Sequence, residues 1–251
     1  MEQLTFKAFR AVSEPALCVE FLRQHRKVLE DFGIQNVSTN TDTWTKDPDT
    51  YVIVAISDIH GMVGGIRVEV GRTGRKLPLE QALYHLDDRI ALKLEEFRPN
   101  GNAEVCGLWN ANHYSSKGLP SMLAFAAVSL ANQIGLRSLV CLVAHYTLRH
   151  AVKAGFTIIE DVGQAGTFTY PIPSIKAIAM VIPDAITLRT APFPYRQQLL
   201  SLRLRPEQER VELLNGEAVL IKYQLYIEGQ VLDMTTYQSI VALREQYAES
   251  A

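Results

Sequence analysis

The chain has no excess of charge of either sign. Its 25 Lys and Arg stand against 27 Asp and Glu, a formal net charge of −2, so no basic field is turned toward nucleic acid or an anionic membrane. It also has no long apolar run. Residues 124–131 are apolar apart from Ser129, but Asn132 and Gln133 close the stretch far short of the roughly 18 residues that a membrane span needs. The opening MEQLTFKAFR lacks the uninterrupted apolar core of a secretory signal. Cysteines are few: Cys18, Cys106 and Cys141 are odd in number and include no C-x-x-C pair. That spacing argues against a disulfide framework or a zinc site and suits a reducing cytoplasm. No repeat, low-complexity tract or obvious linker occurs.

What is present is ordinary soluble-protein composition, 47% hydrophobic and 21% charged over 251 residues, enough for one substantial core or a core with a packed extension. Alternation over residues 4–9 predicts a strand, and residues 15–32 carry a helical stripe (Leu17, Phe21, Leu22, Val28, Leu29, Phe32) that Gly33 stops. Residues 34–49 are polar, a loop or flap around a lone Trp44 that is either a lid over a core edge or a ligand contact. YVIVAI (51–56) and MVGGIRVEV (62–70) are strands. Residues 79–96 follow as one amphipathic helix, with Asp87, Asp88, Arg89, Lys93, Glu95 and Glu96 on its solvated back.

After the break at Pro99-Asn100-Gly101, residues 103–156 read as strand, glycine-containing loop, helix (122–134), apolar strand (138–144) and short helix (147–154) closed by Gly155. A strand at 157–159, a loop at 163–174, a strand at 177–182 and a helix at 195–204 come next. Two strands at 211–214 and 218–227, about Asn215-Gly216, precede a terminal helix at 235–247. Hairpins mixed with crossovers predict an α/β or α+β fold with a mixed sheet.

Candidate chemistry clusters in the central stretch. Glu104 lies on an otherwise apolar strand (Val105, Cys106, Leu108, Trp109). Facing a cleft, a desolvated carboxylate gains a raised pKa and takes a proton from an attacking amine; at the strand start, next to Asn102, it is a surface side chain. The loop Ser115-Ser116-Lys117-Gly118-Leu119-Pro120-Ser121 leads into a helix. The N–H groups near Gly118, Leu119, Ser121 and Met122, with Lys117, suit a pyrophosphate; the bland reading is a well-made helix start. The apolar strand ends at His145-Tyr146, where His145 is a proton-transfer or substrate-binding group or a structural one. Cys106 and Cys141 read as inert core thiols, and a nucleophilic Cys106 needs a base beside it.

The order Glu-strand, glycine loop, helix, apolar strand and HAVKAGF resembles the GNAT superfamily of acyl-CoA-dependent acyltransferases over residues 4–183. Ser115, Gly118 and Pro120 occupy the places of that family's Arg/Gln-x-x-Gly-x-Gly/Ala loop, and Ala151 the place of its usual Tyr. Within the superfamily, the acyl-homoserine-lactone synthases and long-chain N-acyl amino acid synthases are the more similar branch. The similarity rests on Arg26-Lys27-Val28-Leu29, Asp42-Thr43-Trp44, Pro48 to Ala55, Gly64-Gly65-Ile66-Arg67-Val68, Leu77-Pro78-Leu79-Glu80 and Ala103-Glu104-Val105.

The resemblance implies a mixed, mostly antiparallel sheet with two splayed parallel central strands, flanked by helices. It implies an acyltransferase domain over residues 1–183, and residues 184–251 are expected as a helix–hairpin–helix extension packed on the same domain. It implies an N-acyltransferase that moves an acyl group from acyl-CoA or acyl-carrier protein to a small amino-acid-like amine, without a metal. Glu104 would be the base, aided by His145. Leu108, Trp109 and Asn110 would face the thioester, their backbone N–H groups meeting the oxyanion, and Ser115, Ser116, Lys117, Gly118, Leu119 and Ser121 the pyrophosphate. Arg26, Asp42, Trp44, Arg67 and Tyr146 would place the acceptor, and Trp109, Phe125 and Leu142 would form the acyl pocket. Acetyl transfer from acetyl-CoA and a non-catalytic binding protein of the same fold are the alternative expectations.

Overall fold

The computed structural model describes residues 2–31, 33–34, 41–115, 117–214 and 216–227. A ten-stranded sheet organises them. Alternation makes β1 (Gln3–Arg10), which buries Leu4, Phe6 and Ala8. The long apolar runs become β2 (Thr50–Ser57) and β3 (Gly61–Val70), buried on both faces. They are followed by β4 (Asn102–Asn110), β5 (Ser138–Ala144), β6 (Thr157–Ile158), β7 (Thr167–Thr169), β8 (Lys176–Ile182), β9 (Glu207–Leu214) and β10 (Glu217–Gln224). The strand order is β6-β8-β5-β4-β3-β2-β1-β10-β9, with β7 also on β8. Among the described pairings β4–β5 and β1–β10 are parallel and the others antiparallel.

Helices close both faces. The nearly all-apolar α4 (Leu119–Ser129) packs with α5 (Leu148–Ala154) and α6 (Phe193–Leu204) around Ile53, Ile66, Val105 and Leu139. A helix apolar on every side is a buried one. The opposite face is covered by α1 (Pro15–Asp31) over Val52, Val54 and Trp109, and by α2 (Pro78–Leu83) and α3 (Arg89–Phe97) over Val140 and Val181.

Several expectations need correction. The single helix over 79–96 is two, because Asp87 turns inward instead of facing solvent. Its carboxylate accepts the N–H of Arg89 at 3.1 Å and that of Gly163 at 2.6 Å, a side-chain acceptor competing with the helix ladder at the head of α3. The helix over 122–134 begins three residues earlier at Leu119 and tightens into a 3-10 turn at Leu130–Asn132. The loop over 163–174 contains β7, and the flap contains a 3-10 turn at Thr43–Lys46. Phe32, Asn215 and the helix expected over 235–247 lie outside the described residues.

Arg203 of α6 ties the last described helix to the core. Fully buried, it donates from Nη1 to the Ile186 carbonyl at 2.9 Å and from Nη2 to those of Val128, at 3.2 Å, and Ala185. The Val128 carbonyl lies in the last turn of α4 and also accepts a backbone N–H at the helix cap, so the guanidinium is its second partner. An Arg203→Met variant is expected to lose about 3 kcal/mol, since each buried polar group left unpaired costs about 1–3 kcal/mol. For a chain of this size that lowers the thermal midpoint by about 6–12 °C. A circular-dichroism melt unchanged within a degree or two would show that α6 needs no such tie.

Candidate active site

β4 and β5 pair only at Asn102↔Ser138, Ala103↔Leu139 and Glu104↔Val140, and then separate. On β3, Ile66 faces both Gly107 and Leu108 of β4, between the Gly65↔Trp109 and Arg67↔Cys106 pairs. Gly107 takes φ +61°, a left-handed conformation that side chains resist, and such a bulge bends its strand. β5 meanwhile stays with β8 from Leu139↔Ile182 to Ala144↔Ala177. The gap between the diverging strands holds a cavity of ≈ 300 Å³. Its walls include His25 and Leu29 of α1, Pro120 and Ala124 of α4, and His150 and Ala151 of α5. The opening therefore reaches helices on both sides of the sheet.

Glu104 stands where the pairing ends, lines the cavity and is 1% exposed. Its Oε2 accepts the Leu79 N–H at 2.6 Å. Leu79 is the second residue of α2, so the carboxyl caps an N–H that has no partner within the helix. Burial pushes the Glu104 pKa well above the usual 4.5; the Leu79 N–H draws it down, Glu69 pushes it up and Arg67 draws it down. Glu69 is the cross-strand neighbour of Glu104.

Arg67 is buried beside them. Its Nη2 donates to Glu69 Oε1 at 2.9 Å, and its guanidinium lies 4.4 Å from the ring centre of Trp44 and 5.7 Å from that of Phe21. Arg75 Nη2 holds the other Glu69 oxygen at 2.8 Å. Burial, with Arg67 and Arg26, pushes the His25 pKa down to about 3, so its ring is neutral at ordinary pH. Burial likewise holds the Cys106 and Cys141 thiols well above 9. Cys106 donates to Glu69 Oε1 at 3.5 Å, the bond of a thiol and not of a thiolate nucleophile.

On the other side of the gap, Gly118 caps α4 at φ +86° and the helix points its positive end at the preceding loop. Lys117 is engaged there, its Nζ 3.1 Å from Glu217 Oε2 and over the Tyr114 ring. Ser121 Oγ lies 2.7 Å from His150 Nδ1, both side chains buried, and Arg149 Nε donates to His150 Nε2 at 3.4 Å. Burial, then Arg149 and Lys153, push the His150 pKa down to about 4.

The structure brings together Glu104, Leu108, Trp109, Asn110, Ser115 and Tyr146, all on the cavity wall. Leu142 also reaches it, whereas Phe125 is in the core against Tyr195. Leu119 is buried at the head of α4. Other expected site residues stand elsewhere. His145 is exposed with its ring against Tyr146, and it is His150, five residues on, that lines the cavity. Arg67 points into its ion pair and the aromatic rings. Trp44, 2% exposed, is a wall beneath that guanidinium. Arg26 and Asp42 are exposed, and the Asp42 carbonyl accepts the Thr45 N–H and hydroxyl. Ser116 lies outside the described residues. Sequence reasoning missed the Ser121–His150 bond because 29 residues separate its ends and no local spacing announces it.

Among the described residues no group of three or more His, Cys, Asp and Glu is arranged to hold a metal ion, and no helix is long and apolar enough to cross a membrane. No family model and no curated sequence matches the chain. Solved structures do. FeeM, an N-acyl amino acid synthase from uncultured soil microbes, superposes with a TM-score of 0.57 at 14% identity, over 78% of this chain and 99% of FeeM. BjaI, a CoA-dependent acyl-homoserine lactone synthase solved with SAM and isopentyl-CoA, gives 0.54 at 15% identity over 95% of this chain and 99% of its own. MesI, another CoA-dependent acyl-homoserine lactone synthase, gives 0.52 at 11% identity over 80% and 94%. At such identities the likeness speaks for architecture, and that architecture, a mostly antiparallel sheet whose central parallel strands part, is the GNAT fold.

Proposed function

We propose that the chain is an N-acyltransferase that moves an acyl group from a thioester, acyl-CoA or an acyl-carrier-protein thioester, to the amine of a small amino-acid-like acceptor. The observation that carries this reading is the buried Glu104 carboxyl on the wall of the cavity between the parted strands. A carboxyl raised by burial is a better proton acceptor, when ionised, than one in water, and general-base catalysis favours a pKa near the working pH. The amine enters beside Glu104, which takes its proton, and attacks the thioester carbonyl lying in the gap. The bulge at Gly107–Leu108 withdraws backbone from the β3–β4 ladder, and the N–H groups of Leu108 to Asn110 stabilise the oxyanion. The positive end of α4 takes the donor's phosphates.

A cavity of ≈ 300 Å³ is at the lower end of small-molecule pockets, about 300–1,000 Å³. The test is thiol release from a panel of acyl-CoAs mixed with amino acids and simple amines, with mass spectrometry of the product. Amide and free thiol formed together are expected. A protein that releases no thiol from any thioester, with any amine, removes the proposal and leaves a binding protein.

A further inference from the structure

The wall of the cavity is nearly without charge. Glu104 is its one carboxyl, and no Lys or Arg among the described residues lines it. The two imidazoles on the wall, His25 and His150, are neutral at ordinary pH, pushed down to about 3 and about 4 by burial and by the cations near them. The segment Gln35 to Asn40, outside the described residues, contains no Lys or Arg. Arg67 meets the wall only from behind. Its Nη2 donates to Cys106 Sγ at 3.8 Å, and a Cβ placed on Gly107 would come within 2.9 Å of its Nη1. Glu69 and the rings of Trp44 and Phe21 hold it there. Arg26 and Lys27 are exposed and stand off the wall, to which α1 contributes His25, Val28 and Leu29. On the side of the sheet where Glu104 meets α2, the lining includes Val28 and Leu29 with Leu142 and Tyr170, which pack on the core beneath α2 and α3. An amine with an apolar tail suits that lobe. A carboxylate brought into it gives up its hydration and meets no counter-charge. An ionised Glu104, the form that takes the proton, also repels it.

We infer that the acceptor is an apolar primary amine without a free carboxylate, either an alkylamine or an amino acid whose carboxyl is tied up as an amide or ester. This rests on the N-acyltransferase reading and narrows its acceptor. Glu104 faces the nitrogen, and the apolar wall takes the tail. For the free amine, the C–N bond forms, one N–H proton passes to the Glu104 carboxylate and on to water, and the C–S bond breaks with its electron pair on sulfur. Water protonates the thiolate, so the amide and the thiol balance the amine and the thioester.

The test sets L-leucine against isoamylamine, the same side chain without the carboxylate, using the acyl-CoA that releases thiol fastest and reading amide by mass spectrometry. In the wild type, kcat/KM is expected to be about 100-fold higher for isoamylamine, the scale of a charge buried without a partner. Isoamylamine is the more basic of the two, so its smaller share of free base works against this result. Leucinamide, compared per free base, is expected to side with isoamylamine. Leu29→Arg, which brings a guanidinium to the wall from a half-buried helix position, is expected to raise kcat/KM about tenfold for leucine and not for isoamylamine. Leucine used as well as isoamylamine by the wild type, or a folded Leu29→Arg protein with no gain for leucine, overturns the inference. If Arg26→Ala then removes the use of leucine, that exposed guanidinium is the carboxylate anchor. Should Leu29→Arg not fold, the wild-type comparison alone decides. No amide from any amine is a different result, the failure of the N-acyltransferase reading itself.

Discussion

Glu104→Gln is expected to cut turnover by about 10²–10⁴-fold in a protein that still folds. Gln keeps the volume and an oxygen for the Leu79 N–H, and it loses the ability to take a proton. The pH dependence is the sharper part of the result. Only the ionised carboxyl is a base, so kcat/KM in the wild type rises as Glu104 ionises, along a limb displaced above the usual 4.5 by its burial. Stability runs the opposite way. Between 4.5 and the raised folded value, the unfolded chain has released a proton that the folded chain retains, and stability then falls as pH rises. This contribution is fully present below the unfolded pKa and is lost as pH climbs through the folded one. Thermal midpoints measured from about pH 5 to about pH 8 are therefore expected to shift in favour of the Gln variant. Parallel midpoints would show that this carboxyl is not held protonated, and unchanged turnover would remove it as the base.

Arg67→Met is expected to destabilise the fold by about 3–5 kcal/mol, the cost of leaving one member of a buried ion pair without the other. The Arg67 and Glu69 side chains are 1% and 5% exposed, so water does little for the carboxylate left behind. Arg75 remains on the second Glu69 oxygen and keeps the loss from growing. Arg67 also draws the Glu104 pKa down, and its removal is expected to carry the activity limb to higher pH. Replacing Glu69 as well, by Leu, is expected to recover much of the stability, because a buried pair replaced by apolar side chains is often neutral. Denaturant titration of the single and double variants measures this. A single variant within about 1 kcal/mol of wild type, or an unmoved pH limb, would show that the pair neither supports the core nor tunes the carboxyl.

Much of the sheet was readable because its strands alternate or run apolar for several residues: β1, β2, β3, β5 and β8 follow periodicity closely. The helix over 79–96 misled because its apolar stripe continues across Tyr84 to Asp88. What breaks it is a bond from Asp87 to Gly163, 76 residues away. His145 drew attention as the first polar residue after an apolar strand, but the chain turns there into a 3-10 turn that leaves its ring in solvent. Arg67 was expected to place the acceptor, and the aromatic box of Phe21 and Trp44 that encloses it comes from α1 and the flap.

The sequence alone determined the type of most elements, though not β7 or the break at Asp87, the isolation of Glu104 on an apolar strand and the glycine turn before α4, since backbone preference and periodicity are local. Tertiary structure decided what those residues face. A bulge at Gly107 and the loyalty of β5 to β8 part the central strands, a choice made by register and not by composition. Burial between the sheet and α2 then turns Glu104 from an acid at a strand start into a desolvated carboxyl held above its ordinary range, because desolvation depends on everything packed around a carboxyl and not on its neighbours in the chain.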